Sequence, residues 1–310
     1  MKKKLALVAM LIAIVFWGTA FSAQSSGMKH VGPMLFVMLR SIVGFLSLIL
    51  VIVFIDLWRH KKVSFWGVGV DKVEKRNLCI GGLWCGLIIA GASTFQQLGL
   101  LNVSAGKTGF LTALYIIIVP IMGLFFKRKT SLLLYVSIVI ALTGAYLLCG
   151  GVDNFGIGEL CVVICAALFA VHILVIDRYA PECDCVRLSC CQFIVASAAS
   201  GIASLGFREP WVWQGIVKSL PFWVFCGVGS SCIAFTLQMF AQKYLHPASV
   251  ALLMSLESVF AVLGGWIFLH EVLTLRELAG CAVILIAVIM AQLPELCKGR
   301  RGNAETQKVL

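Results

Sequence analysis

The chain has 310 residues, 61% hydrophobic and 13% charged, with a formal net charge of +11 and a mean hydropathy of +1.01. A soluble surface carries roughly 25–35% charged residues, so this composition excludes an ordinary soluble enzyme or nucleic-acid-binding domain. It fits an all-α integral membrane protein, whose backbone groups are bonded within each helix and whose side chains face lipid.

Apolar runs of about 20 residues cross the hydrocarbon core as helices. Ten are expected, over 5–21, 33–55, 78–101, 106–126, 131–148, 158–176, 188–205, 220–241, 248–269 and 275–293. The first follows Lys2-Lys3-Lys4, a pattern that also opens secretory signal peptides. Its apolar run is longer than a usual signal core, and cleavage after Ala23 would put bulky Phe21 where a small residue is wanted, so it reads as a span. Small residues four apart mark helix-packing seams at Gly82 and Gly86, Ala141 and Ala145, and Ala287 and Ala291. Gly227, Gly229, Gly264 and Gly265 extend the seams to later spans.

The spans repeat. QQLGLLNVSAGKTGFLTALYIIIVPIMGLFF, from Gln96, lies over QMFAQKYLHPASVALLMSLESVFAVLGGWIF, from Gln238, at a shift of 142. Both stretches are a helix end, a short polar break and a long apolar run. Upstream, Phe16-Trp17-Gly18-Thr19 and Arg40 fall, at a shift of 152, on Leu168-Phe169-Ala170-Val171 and Gln192. The expected units are 1–149 and 150–294, five spans each, with a cytoplasmic tail over 295–310. Five is odd, so the second unit starts on the opposite side of the bilayer, giving two inverted-topology repeats as in many secondary transporters.

Charge gives the orientation. Of 25 Lys and Arg residues, Lys29, Lys107, Arg208, Lys218 and Arg276 lie on odd-numbered connections and Arg40 lies inside the second span; the other 19 lie at the termini and on even-numbered connections. Both termini are therefore expected in the cytoplasm. Lys127-Arg128-Lys129 is then cytoplasmic, whereas its repeat mate Leu269-His270-Glu271 is external. Topology and the anionic inner leaflet explain the net charge, so nucleic acid is not an expected partner.

A charged group inside a span costs roughly 2.5–3.5 kcal/mol, less when it finds a partner, and the polar groups there are the functional candidates. Lys107 and Thr108 open the fourth span, and Thr108, Thr112 and Tyr115 fall at i, i+4 and i+7 on one face, fit to line an aqueous path or to cap their own helix. Pro120, further along, frees a backbone carbonyl and permits a bend. Gln96 and Gln238 coincide under the shift, and Glu257 coincides with Tyr115. An ionised carboxylate in the ninth span is the costliest group in the bundle, so Glu257 is a proton-coupling candidate, or else a neutral acid bonded to a neighbouring helix. Arg40 needs a carboxylate, a carbonyl or an anionic substrate, unless it is a structural tie, and Trp17 is a cavity wall or a packing group.

Thirteen cysteines raise the question of metal. The cluster Cys183, Cys185, Cys190 and Cys191 has no established zinc spacing, and cysteines within spans act as small hydrophobes, so no metal is expected. His172 and Asp177 form the H-x4-D spacing of membrane acyltransferases, but five residues turn a helix by 140°, so the pair would not face each other. A Walker A pattern is absent, and neither enzymatic activity nor a cofactor is expected. A carrier is favoured over a channel. The expected partners are a small-molecule substrate and the lipid bilayer, with oligomeric state left open.

Phe16-Trp17-Gly18-Thr19-Ala20-Phe21, Arg40, the segment from Gln96 to Pro120, and Leu256-Glu257-Ser258-Val259-Phe260 with a closing His270-Glu271 resemble the EamA-type family of the drug/metabolite transporter superfamily. The resemblance covers nearly the whole chain. It implies a bacterial inner-membrane carrier of ten helices in two inverted halves, often exporting amino acids or related metabolites. The alternative is an exchanger or facilitator for other small organic solutes or drugs. Two positions depart from the family pattern: Ser258 stands where Pro is common, and Lys127-Arg128-Lys129 replaces a small-residue-Glu ending.

Overall fold

The computed structural model describes residues 2–125, 132–148, 156–269, 274–276 and 278–290, and every regular element among them is helical. In chain order these are α1 (Lys2–Gly27), α2 (Pro33–His60), α3 (Lys72–Leu100), α4 (Ala105–Thr112), α5 (Tyr115–Phe125), α6 (Leu132–Leu148), α7 (Ile157–Tyr179) and α8 (Cys185–Gly206). They continue with α9 (Trp213–Lys218), α10 (Leu220–Phe225), a π-helical segment (Cys226–Ala234), α11 (Phe235–Gln242), α12 (Pro247–Met254), α13 (Leu256–Leu269) and α14 (Leu278–Met290). Among the described residues, eight helical stretches are long and apolar enough to cross a membrane. The fourth combines α4 and α5, the eighth candidate combines α12 and α13, and the shorter α6 and α14 fall in the fifth and tenth expected runs. Lys127-Arg128-Lys129, His270-Glu271 and the tail 295–310 lie outside the described residues.

Helices α1 and α3 outrun their apolar stretches, one by packing against protein and one by a cap. The first run ends at Phe21, yet α1 continues to Gly27 because Ser22 and Gln24 are buried against other helices. At α3 the extension is at the start, where the Asp71 carboxylate accepts from the Glu74 amide at 2.7 Å and caps the first turn. On α2 the outward groups Leu46, Leu50 and Phe54 stay exposed, as a lipid-facing stripe requires.

Packing follows the repeat. α2 lies along α8, its mate; α3 lies along α7 and α8; and α1 lies against α13 and the π-helical span. α4 packs on α13, and α12 packs on α5. The Gly82–Gly86 seam is the α3–α8 contact: a Cβ added at Gly86 would stand 2.6 Å from the Gln192 carbonyl oxygen. The contact requires glycine there.

Both broken spans break at the same register. α4 occupies 105–112 and α12 occupies 247–254, the same interval after the 142 shift. Beyond each, the backbone tightens into an i to i−3 turn: Ile116 N bonds Ala113 O at 3.0 Å, and its mate Ser258 N bonds Ser255 O at 3.2 Å. The bend expected at Pro120 therefore falls earlier, at residues 113–114, and α5 runs through the proline. Proline is not the common cause, because its mate is Val262. In the second break hydroxyls take up the carbonyls: Ser255 Oγ donates to Leu252 O at 2.6 Å and Ser258 Oγ donates to Ser255 O at 2.7 Å. Ser258, the departure from the family pattern, thus accompanies a break without proline.

Candidate functional site

The two breaks place half-helix N-termini in the middle of the bundle, with Tyr115 first in α5 and Glu257 in the first turn of α13. Tyr115 is fully buried and Glu257 is 8% exposed. The Tyr115 hydroxyl donates to Glu257 Oε2 at 3.3 Å, so two repeat mates meet directly. A second pair of contacts repeats around them: Gln96 Nε2 reaches Thr112 Oγ1 at 3.5 Å, and Gln238 Nε2 reaches Met254 Sδ at 3.7 Å, with both partners related by the same shift.

A narrow cavity opens at this junction. Trp17, Gln24, Arg40, Gln96, Thr112, Tyr115, Phe169, Ser230, Phe235, Met254 and Glu257 line it. Trp17 meets Phe235 edge-on, with ring centroids 4.9 Å apart, and Phe235 in turn contacts the rings of His172 and Phe193. The free space amounts to about 20 Å³, room for a water or two and far below that of a metabolite site.

Arg40 occupies the polar end. Its Nη2 donates to Ser93 Oγ at 2.6 Å and its Nη1 to Gln24 Oε1 at 3.2 Å, and Gln24 Oε1 also accepts from Gln97 Nε2. Arg40 is 4% exposed, and its Nε has no hydrogen-bond partner among the described residues. The neighbouring backbone is shaped for it: a Cβ at Gly227, in the π-helical segment, would stand 2.8 Å from the Arg40 carbonyl oxygen.

Ties close the bundle on either side of the cavity. At one end, Lys107 Nζ pairs with Glu159 Oε1 at 2.6 Å, and Glu209 accepts from the Met34 and Leu35 amides at 3.0 and 2.7 Å, capping α2. At the other end, Arg187 Nη2 pairs with Asp56 Oδ1 at 2.5 Å, Arg187 Nε donates to Phe65 O, and Lys243 Nζ donates to Cys183 O at 2.6 Å. Burial pushes the Cys183 thiol, which lies between spans, up to about 12.

The EamA-like transporter family model matches this chain twice, over residues 4–150 and 156–292. The chain belongs to the EamA-like transporter family. Among its relatives are an "Uncharacterized transporter" of Archaeoglobus fulgidus, 26% identical over 93% of this chain and 84% of that protein, and the "Uncharacterized transporter YoaV" of Bacillus subtilis, 22% identical over 92% and 95%. A solved structure titled "Crystal structure of protein" shares the fold with a TM-score of 0.72 at 20% identity, covering 93% of this chain and 97% of its own. This is a multi-pass membrane transporter.

The EamA fold gathers Trp17, Arg40, Gln96, Thr112, Tyr115 and Glu257 around one cavity. Thr108 is fully buried and turns its hydroxyl toward Val103 O at 3.5 Å, while Lys107, beside it at the opening of the span, pairs with Glu159. Gln238 stands behind Met254, which takes its place at the wall. His172 is fully buried with Nε2 3.0 Å from Gln192 Oε1, so its ring is engaged by α8. Gln24, Ser93, Phe169, Phe235 and Met254 are additions. The repeat shifts pointed to most of them, since Phe169 is the mate of Trp17, Met254 of Thr112 and Phe235 of Ser93.

Proposed function

We propose that this EamA-family transporter is a secondary carrier exporting small metabolites such as amino acids by alternating access across a bacterial plasma membrane. Its two five-helix units, 1–149 and 150–294, are inverted repeats giving ten spans with both termini cytoplasmic. The packing of α4 on α13 and α12 on α5 supports inversion, because it sets the first half of each broken span against the second half of the other. The observation that carries the reading is the Tyr115–Glu257 contact, at two half-helix N-termini in a cavity smaller than any metabolite. A solute can use such a cavity only if the halves part, first on one side and then on the other. Glu257 is the group that exchanges a proton during that cycle, and the substrate path is lined by Trp17, Arg40, Gln96, Thr112, Tyr115 and Glu257, with Thr108 and Gln238, behind the wall in this state, joining it as the halves part.

Single cysteines at Trp17, Gln96, Thr112, Tyr115, Gln238 and Glu257, in a background freed of native thiols, test the path. Small water-soluble thiol reagents should reach them, and a substrate found by comparing metabolite release from overexpressing and empty-vector cells should protect them. Inertness at all six positions would make these groups packing residues.

A further inference from the structure

We infer that Arg40 is a carboxylate-binding subsite, presented by Gln24 and Ser93 to the carboxylate of a small substrate. Arg40 is a guanidinium buried to 4% exposure, with no carboxylate paired to it among the described residues. Buried cations in a membrane ordinarily pair with an acid. The acid sharing its cavity, Glu257, is bonded instead to Tyr115. Contrast Arg187, equally buried at 7%, which holds Asp56 at 2.5 Å and belongs to a tie.

The neutral groups around Arg40 orient it without quenching it. Ser93 and Gln24 each take one terminal nitrogen, and Gln97 steadies Gln24 from behind. Nε is buried without a partner, so one donor and the positive charge of a cavity-lining residue are left unmatched among the described residues. A carboxylate supplies what is missing, two acceptor oxygens and one negative charge, in a geometry that a guanidinium matches. Trp17, Phe169 and Phe235 line the same space and give the rest of the molecule an apolar wall. Phosphate fits less well, because its second charge would lack a counter-cation.

This inference rests on the cavity being the substrate path, and its test separates the two. The probes are acetate and L-alanine, against acetamide and L-alaninamide, which keep the shape and lose the anion. Purified full-length protein is treated with p-hydroxyphenylglyoxal, and modification of the Arg40-containing peptide is followed by mass spectrometry beside the thermal midpoint. Acetate and L-alanine should slow modification and raise the midpoint, and the amides should do neither. Arg40→Gln should abolish the midpoint response, and Ser93→Ala, which removes a bond to a charged group, should weaken it about tenfold. Equal effects of acid and amide, protection by phosphate alone, a response retained in Arg40→Gln, or an Arg40 peptide inert throughout with no acid-dependent midpoint shift would each overturn the inference. The wild-type modification assay needs no variant to fold. If acids and amides act alike while cavity cysteines are substrate-protected, the path stands and the subsite falls.

Discussion

Tyr115 donates a hydrogen bond of 3.3 Å to Glu257, the residue that holds its own position in the second repeat. The bond joins the two units at their breaks, each side contributing the start of a half-helix. Any motion that parts the units there has to stretch it, so in the proposed cycle the recognition site and the joint coincide. A helix N-terminus favours an acceptor, which suits a carboxylate in the first turn of α13.

Coupling is the first consequence. Glu257→Gln preserves size and the acceptor for Tyr115 but fixes the neutral form, and it should abolish transport against a gradient while sparing downhill exchange in proteoliposomes. A ligand shifts an equilibrium only by its differential affinity for the two states, so a proton that drives the cycle must bind Glu257 differently in each. Uphill transport at the normal rate in the variant would make Glu257 a structural acid and the protein an exchanger or uniporter.

Tyr115→Phe deletes the donor alone. Loss of one such bond costs about 0.5–1.5 kcal/mol, so substrate affinity or turnover should change by about threefold to tenfold with the fold intact. An unchanged transport rate would show that the joint does not depend on the bond.

The tie between Arg187 and Asp56 is a stability element. Asp56→Leu strands a buried guanidinium and should destabilise the protein by about 3–5 kcal/mol, read as a lower thermal midpoint in detergent. The double variant Asp56→Leu with Arg187→Met should recover most of the loss, since both charges are then gone. No recovery would place the effect in the other bonds of the pair, from Arg187 to Phe65 O, Ser64 O and Asp184 and from the Ser64 amide to Asp56.

Lys107 and Glu159 join the start of α4 to the start of α7 across the two repeats, 2.6 Å apart. Cysteines at both positions, in the thiol-free background, should be joined by a short reducible bis-methanethiosulfonate linker, which stops transport until it is reduced. Transport that continues when the cross-link is complete would exclude opening at that end.

Topology is tested by reporter fusions. Fusions at the C-terminus and after Asn154, both outside the described residues, should report opposite sides. Equal signals would remove the odd-numbered repeat.

Much of the fold was legible because lipid imposes a simple rule on residues that face it. The apolar runs gave eight of the spans to within a turn or two, and the 142 shift paired position 115 with 257, but neither the hydrogen bond between them nor the break beside each was readable from that pairing. The ends of α1 and α3 were not legible, since polar side chains there are satisfied by other helices or by a cap. Nor was the place of the bend: Pro120 looked like its cause, yet the hydroxyls of Ser255 and Ser258 accompany the same break with no proline. Thr108 shares a continuous α4 face with Thr112, yet it lies one turn nearer the start of the helix, where its hydroxyl is bonded toward Val103 O instead of facing the cavity.

Composition and periodicity alone determined that this chain lives in a membrane, that it is helical, and that it is written twice, because those properties follow from one solvent and one repeat length. Which polar groups find each other is a different matter. Arg40 could have met an acid, a carbonyl or nothing, and the choice depended on where α1 and α3 bring Gln24 and Ser93 once the helices pack. Charge partners in a bundle are set by separations of a few ångströms between segments far apart in the chain, and no local pattern encodes them.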